Sequence, residues 1–366
     1  MADLLKNMFN PESIRDIALA IQSVYKTFQV DEFLKSTIDE TWNDLELKAR
    51  GRKISINLGK YLPANYGKAL TIIDKVVESH SEGFLGFVFP DFIEVYGQDE
   101  INWDLSISAL ERYTVFWSSE FAVRPFIINN EKRMMKQMYA WSKHENEFVR
   151  RLASEGCRPA LPWGIALNSF KKDPSPILPI LEQLKNDPSL HVRKSVANNL
   201  NDISKTHPDL IAKLAKKWYG KTEYTNWIVK HGCRTLLKKG NRDVLAIFGY
   251  DELTPVTVDD LKLSATSITI GEDITFSFTI FTKKATKVRL EYGVDYVKSN
   301  GKRNRKIFQI SEISLKDNEK KMYTKKHSFA DVSVRKHYPG KHSITLIVNG
   351  TERGTLDFEV KKVLKS

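Results

Sequence analysis

Two cysteines in 366 residues, Cys157 and Cys233, exclude a disulfide framework, and without a Cys/His cluster at ligand spacing they exclude a zinc site. No stretch approaches eighteen uncharged apolar residues, so no membrane-spanning helix is expected. Asp3, Lys6, Glu12, Arg15 and Asp16 interrupt the first twenty residues, which excludes a signal-peptide core and predicts a cytoplasmic protein. There is no GxxxxGK[ST], because Gly220-Lys221-Thr222 lacks the upstream glycine, and no GxGxxG, HExxH or nucleophile elbow. Nucleotide hydrolysis and metal-dependent hydrolysis lose their support, and neither a cofactor nor a metal is predicted.

What is abundant is positive charge. Lys plus Arg number 57 against 45 Asp plus Glu, a net +12, and residues 261–366 hold 22 basic and 11 acidic side chains. A polyanionic partner is implied, nucleic acid before a membrane surface. The basic residues of the last third cluster at 298–306 and 316–326, expected to be strand-connecting loops.

One stretch recurs. VRRLASEGCRPALPW (149–163) is followed by VRKSVANNLNDIS from Val192 and NWIVKHGCRTLLKKG from Asn226, and is preceded by SSEFAVRPFI from Ser118. Glu120, Glu155, Asn198 and His231 then align at spacings of 35, 43 and 33 residues. A period near forty with two helix-length segments per unit predicts a HEAT-like α-solenoid, whose helix pairs bury their apolar faces only by stacking. The aligned residues would form a polar row, or be ordinary solvated and capping residues.

In chain order, Asn10-Pro11-Glu12 starts a helix running to Phe28, and another spans 30–46. Arg50-Gly51-Arg52-Lys53 reads as a basic turn. Helices follow at 66–79, 103–117, 131–141, where the methionine stripe is core, and 146–154, with GFLGFVFPDFIEVY (83–96) as buried packing. Gly156, Pro159 and Pro162 then force an irregular, stiff segment that can hold Trp163 out. Helix pairs at 173–186 with 189–205, and 206–219 with 225–239, complete the solenoid.

After Tyr250 the apolar period drops from 3.6 to 2, as in Ile274, Phe276, Phe278 and Ile280. About seven short strands, with turn signals Asn300-Gly301, Pro339-Gly340 and Asn349-Gly350, predict an immunoglobulin-like β-sandwich. Domains are placed at 1–252 and 257–366, joined by an extended linker at Thr254-Pro255.

The ASEGCRPALPW segment, the VRKSVANNLNDISK segment and the sandwich tail together resemble the AlkC branch of the HEAT-like alkylpurine DNA glycosylases. Relatives in the AlkD branch lack the tail, and their Trp/Asp site does not map onto this chain. The resemblance covers nearly the whole chain, with Arg158 to Trp163 its most specific part. It implies a monomer acting on duplex DNA that contains alkylated bases. The implied reaction is monofunctional excision of 3-methyladenine and 3-methylcytosine without base flipping, unlike glycosylases that extrude their target. The chemistry of the residues agrees: a cationic base is already a good leaving group, so Glu120 and Glu155 would stabilise an oxocarbenium ion and orient water. Trp163 would face the cationic base or its sugar. Arg150, Arg151, Arg158 and Arg193, with Asn198 and Asp202, would hold the DNA. Without the resemblance, a non-catalytic HEAT and immunoglobulin-like scaffold is the first reading.

Overall fold

The structure, a computed structural model, describes residues 5–79, 84–250, 255–332 and 335–362. Along these, sixteen helices precede eight strands. The helices are α1 (Pro11–Val24), α2 (Val30–Thr37), α3 (Leu47–Tyr61), α4 (Tyr66–Ser79), α5 (Val88–Tyr96), α6 (Trp103–Tyr113), α7 (Val123–Asn129) and α8 (Glu131–Trp141). There follow α9 (Glu147–Glu155), α10 (Asn168–Lys172), α11 (Leu178–Leu184), α12 (Leu190–Ile203), α13 (Pro208–Trp218), α14 (Glu223–Gly232), α15 (Arg234–Lys238) and α16 (Arg242–Ile247). Among the described residues no helix is long and apolar enough to cross a membrane. The chain forms two compact units, residues 1–206 with 220–232, and 207–219 with 233–366.

The first unit is the HEAT-like solenoid. Helices α1, α8, α9 and α12 begin at residues that satisfy their orphan amides. Asn10 Oδ1 accepts from Ser13 N at 2.9 Å while Ser13 Oγ accepts from Asn10 N at 3.1 Å, and Asn146 and Ser189 cap α9 and α12. Helices α9, α12 and α14 stack in succession. The stacking is close because the recurring glycines carry no side chain: a Cβ on Gly156 would lie 2.6 Å from Val123, and one on Gly232 3.0 Å from Leu200. Cys157 and Cys233, beside them in sequence, are buried and unpaired with each other.

Three expectations are corrected here. Helix α1 stops at Val24, and Phe28 packs in the following turn; α2 stops at Thr37, short of residue 46. Residues 50–53 are not a turn but lie inside α3, where Gly51 lets the Phe87 ring approach to within 2.4 Å of a would-be Cβ. Nor are these cations free for phosphate. Arg50 donates to the carbonyls of Lys6 and Phe9, Arg52 pairs with Asp91 and Glu94, and Lys53 pairs with Asp39.

The second unit joins α13, α15 and α16 to the immunoglobulin-like sandwich. Strands β1 (Val256–Leu263), β3 (Asp273–Thr282) and β6 (Lys320–Ser328) form one sheet in the order β1-β3-β6. Strands β2 (Ser267–Thr269), β4 (Thr286–Val297), β5 (Arg303–Leu315), β7 (Gly340–Val348) and β8 (Thr351–Lys361) form the other, ordered β2-β8-β7-β4-β5. Ile274, Phe276, Phe278 and Ile280 alternate inward against Leu290, Tyr292, Ile344 and Leu346. Asn349 and Gly350 both have positive φ, 49° and 78°, the geometry of a two-residue hairpin turn between β7 and β8. The helical and strand regions meet between Ile247 and Val256, and Thr254 lies outside the described residues. Of the basic segments, residues 298–302 and 316–319 are loop as expected, whereas 303–306 and 320–326 belong to β5 and β6.

Candidate active site

Helix α9 presents Arg150 and Arg151 on adjacent faces and ends on Glu155, whose carboxylate therefore stands at the negative pole of the helix. Its charge is balanced by arginines. Arg158, folding back after Gly156, donates from Nη1 to Glu155 Oε1 at 2.6 Å and from Nε to Asp202 Oδ2 on α12 at 2.9 Å. Arg151 lies 3.6 Å from Glu155 Oε1 and also pairs with Glu120, whose Oε2 accepts from Ser118 Oγ at 2.7 Å. Lys205 completes the row by donating to Asp202 Oδ1 at 2.9 Å. Charges thus alternate: Glu120, Arg151, Glu155, Arg158, Asp202, Lys205. Burial by itself would lower the pKa of Arg158, but Glu155 and Asp202 more than offset it and hold the guanidinium firmly protonated.

Arg124 is fully buried and grips the loop that follows α9. It donates to the carbonyl of Gly156 at 2.9 Å, of Arg158 at 2.9 Å and of Ile165 at 2.5 Å. Burial pulls its pKa down to about 10, which still leaves it charged at neutral pH. The gripped loop contains a turn in which Gly164 N donates to Leu161 O at 3.1 Å, with Pro162 second and Trp163 third. Trp163 has φ +63°, a conformation that costs a bulky residue roughly 1–2 kcal/mol, and its side chain is 71% exposed.

Glu120, Glu155, Arg158 and Trp163 line one cavity of about 430 Å³. Its remaining wall is largely apolar, made by Leu47, Phe87, Trp117, Phe121, Leu161 and Pro162, with Lys48 and Ser118. Two glycines make the aromatic wall possible. Gly51 lies under Phe87, and a Cβ on Gly86 would fall 1.7 Å from the Trp117 indole. The six charges of the row cancel, and Arg124 and Lys48 tip the balance positive. A cation in this cavity would be held by oxygen atoms and ring faces at contact distance, not by a negative field.

The structure separates the expected site residues. Glu120, Glu155 and Trp163 come together, and Arg151, Arg158 and Asp202 are the buried or half-buried partners that hold the carboxylates. Asn198, half-buried on α12, and His231, stacked on Trp227 at 3.8 Å, do not line the cavity. Arg150 and Arg193 are engaged within the protein. Arg150 donates from Nη1 to the carbonyls of His144 and Glu145, six and five residues earlier, and Arg193 does the same to Asp187 and Pro188. Arg150 also makes a two-point pair with Asp187, and Arg193 covers the Tyr224 ring at 4.0 Å. The recurring arginine is a brace for the turn before each helix. Lys48, Ser118, Phe87, Trp117 and Phe121 carry no signal in the sequence that marks them for this site. Arg124 does, since Arg124-Pro125 matches Arg158-Pro159 in the repeat.

The chain resembles known proteins along nearly its whole length. The DNA alkylation repair enzyme family matches residues 107–236, and the family described as the C-terminal Ig-like domain of YhaZ matches residues 257–362. The uncharacterized protein YhaZ of Bacillus subtilis is 48% identical over 360 residues, which cover 98% of this chain and 100% of that one. The alkylpurine DNA glycosylase AlkC of Pseudomonas fluorescens, solved bound to DNA containing an abasic site analog, superposes with a TM-score of 0.94 at 36% identity. That alignment covers 98% of this chain and 100% of that one. A HEAT-like solenoid with a C-terminal immunoglobulin-like sandwich and this level of likeness define an alkylation-repair protein. The chain belongs to the alkylpurine DNA glycosylase family, in its AlkC branch.

Proposed function

We propose that this chain hydrolyses the N-glycosidic bond of cationic alkylated bases in duplex DNA, 3-methyladenine and also 3-methylcytosine, and so initiates base excision repair. The observation that carries the reading is the pair of carboxylates, Glu120 and Glu155, each oriented by an arginine at the wall of an aromatic cavity beside the exposed Trp163. The C1′–N bond breaks with both electrons leaving on the base, which departs neutral because it began cationic. The oxocarbenium ion left behind is stabilised by a carboxylate, and water adds to C1′ while Glu155 or Glu120 accepts its proton. No amine nucleophile enters this scheme, so the product is an intact abasic site and the enzyme is monofunctional. An aromatic ring displayed at the surface supports contact with a base that stays in the duplex rather than one buried in a deep pocket.

DNA as the partner is supported by the net charge of +12 and by the complex in which the Pseudomonas fluorescens protein was solved. In the sandwich unit a groove of about 550 Å³ is lined by Lys238, Lys306 and Lys325 with Tyr292 and Phe308, a surface suited to phosphates. The test is base release from methylated duplex DNA. Glu155→Gln and Glu120→Gln should each excise 3-methyladenine ~100-fold more slowly while still binding DNA. Wild-type rates in both variants would remove the carboxylates from the mechanism, and no base release by the native protein would return the chain to the scaffold reading.

A further inference from the structure

Trp163 stands at a turn position that favours glycine or asparagine, and its exposed ring gains little from burial. Its conformation has to be held from outside. Arg124 fixes the loop on the far side, at Ile165. On the near side the contact comes from α3, 115 residues earlier: Lys48 Nζ donates to the carbonyl oxygen of Trp163 itself at 2.8 Å, and lies 4.3 Å from the centroid of the Phe121 ring.

The placement of this ammonium is unusual for its surroundings. Glu120 and Glu155 line the same cavity, yet among the described residues Lys48 makes an ion pair with neither. Those carboxylates are already taken by Arg151 and Arg158, which leaves the lysine to a backbone oxygen and a ring face. A resident cation at the wall of a cavity that receives a cationic base opposes binding by like charge, so attraction of substrate cannot be its purpose. What it can do is fix the peptide plane that follows Trp163. Rotation of that plane changes ψ of Trp163 and, with it, where the indole points.

We propose that Lys48 is a positioning residue that latches the Trp163 turn and thereby aims the indole at the substrate. The catalytic consequence rests on the glycosylase reading above; the latch itself does not. Loss of the latch should lower the excision step without weakening DNA binding, because removing the like charge, if anything, favours a cationic lesion.

The full-length chain labelled with 5-fluorotryptophan gives a readout independent of activity, with Trp163→Phe identifying the Trp163 fluorine resonance. In Lys48→Met that resonance should shift or broaden, single-turnover release of 3-methyladenine should fall by about 10- to 100-fold, and DNA affinity should not decrease. Lys48→Arg, which can still donate to the carbonyl and cover Phe121, should recover most of both the resonance and the rate. An unchanged Trp163 resonance in Lys48→Met, or a Lys48→Arg variant as impaired as Lys48→Met, overturns the proposal. If the resonance moves in Lys48→Met and returns in Lys48→Arg while even the wild-type chain releases no base, the latch stands and the glycosylase reading falls.

Discussion

Glu155 sits at the C-terminal end of its helix, where a carboxylate is repelled, and is nearly buried besides; Arg151 and Arg158 are what make its charge tolerable there. Arg158 also neutralises the buried Asp202, so it serves two carboxylates at once. Replacing it by Met removes the buried partner the two share, leaving Glu155 to Arg151 at 3.6 Å and Asp202 to the half-exposed Lys205. Arg158→Met should therefore destabilise the solenoid unit by about 3–5 kcal/mol in urea unfolding, far more than loss of an exposed pair. Trp163 presents the opposite case, strain without burial. Trp163→Gly relieves the positive φ and should leave the melting temperature at or above the wild-type value, while release of 3-methyladenine drops. If excision of a neutral adduct drops equally, the ring is not reading positive charge.

At the level of helices and strands, most of the fold is legible because its signals are local. The Asn10, Asn146 and Ser189 caps, the methionine stripe of α8, and the Asn349-Gly350 turn each act over a few residues. Expectation and structure part where a tertiary contact outvotes a local one. Gly51 reads as a breaker but is a seat for Phe87. Strand β1 is hidden because Asp259 and Asp260 interrupt its alternation, and the structure places a register shift and a positive φ of 56° there. In the site, Glu120, Glu155 and Trp163 lie within the repeat and can be found from it; Lys48 and Phe87 arrive from distant segments, and Trp117 lies just before the recurring stretch that holds Glu120.

The sandwich strands carry a pH dependence. His327 on β6 is buried between the hydroxyls of Tyr292 and Tyr296, at 2.9 and 2.6 Å, and burial pushes its pKa down to about 4. Burial likewise lowers His337 and His342. A folded pKa below the unfolded value means that the unfolded chain binds the proton first. Stability is therefore full above the ordinary histidine pKa of about 6.5 and drains away as pH falls towards 4. Thermal melts of the native chain should lose stability across that window, and His327→Gln, which can still bond both hydroxyls, should flatten the dependence.

For the molecule as a whole, charge and connectivity matter most. Removing residues 256–366 would be a poor test of DNA binding by the sandwich, because α13, α15 and α16 belong to its compact unit. Charge removal in the intact chain is cleaner. Lys306→Gln with Lys325→Gln should weaken DNA binding and reduce the slope of log affinity against log salt by ~0.9 for each phosphate that is no longer neutralised. A slope equal to that of the native protein would mean that this groove meets no phosphate.

The order in which the two units draw on the sequence also sets a schedule for synthesis. The solenoid unit is complete once Gly232 has left the ribosome, but it skips α13, whose Ile211, Ala212, Ala215 and Trp218 are buried in the finished protein. That apolar face waits for α16, and the Gly240 backbone waits longer still for Gly350, which it meets closely. At about 5–20 residues per second the interval from residue 232 to residue 350 lasts roughly 6–24 s. Helix α16 ends at Ile247, so the α13 face waits only roughly 1–3 s for its cover, while the Gly240 backbone waits for Gly350 through the whole interval.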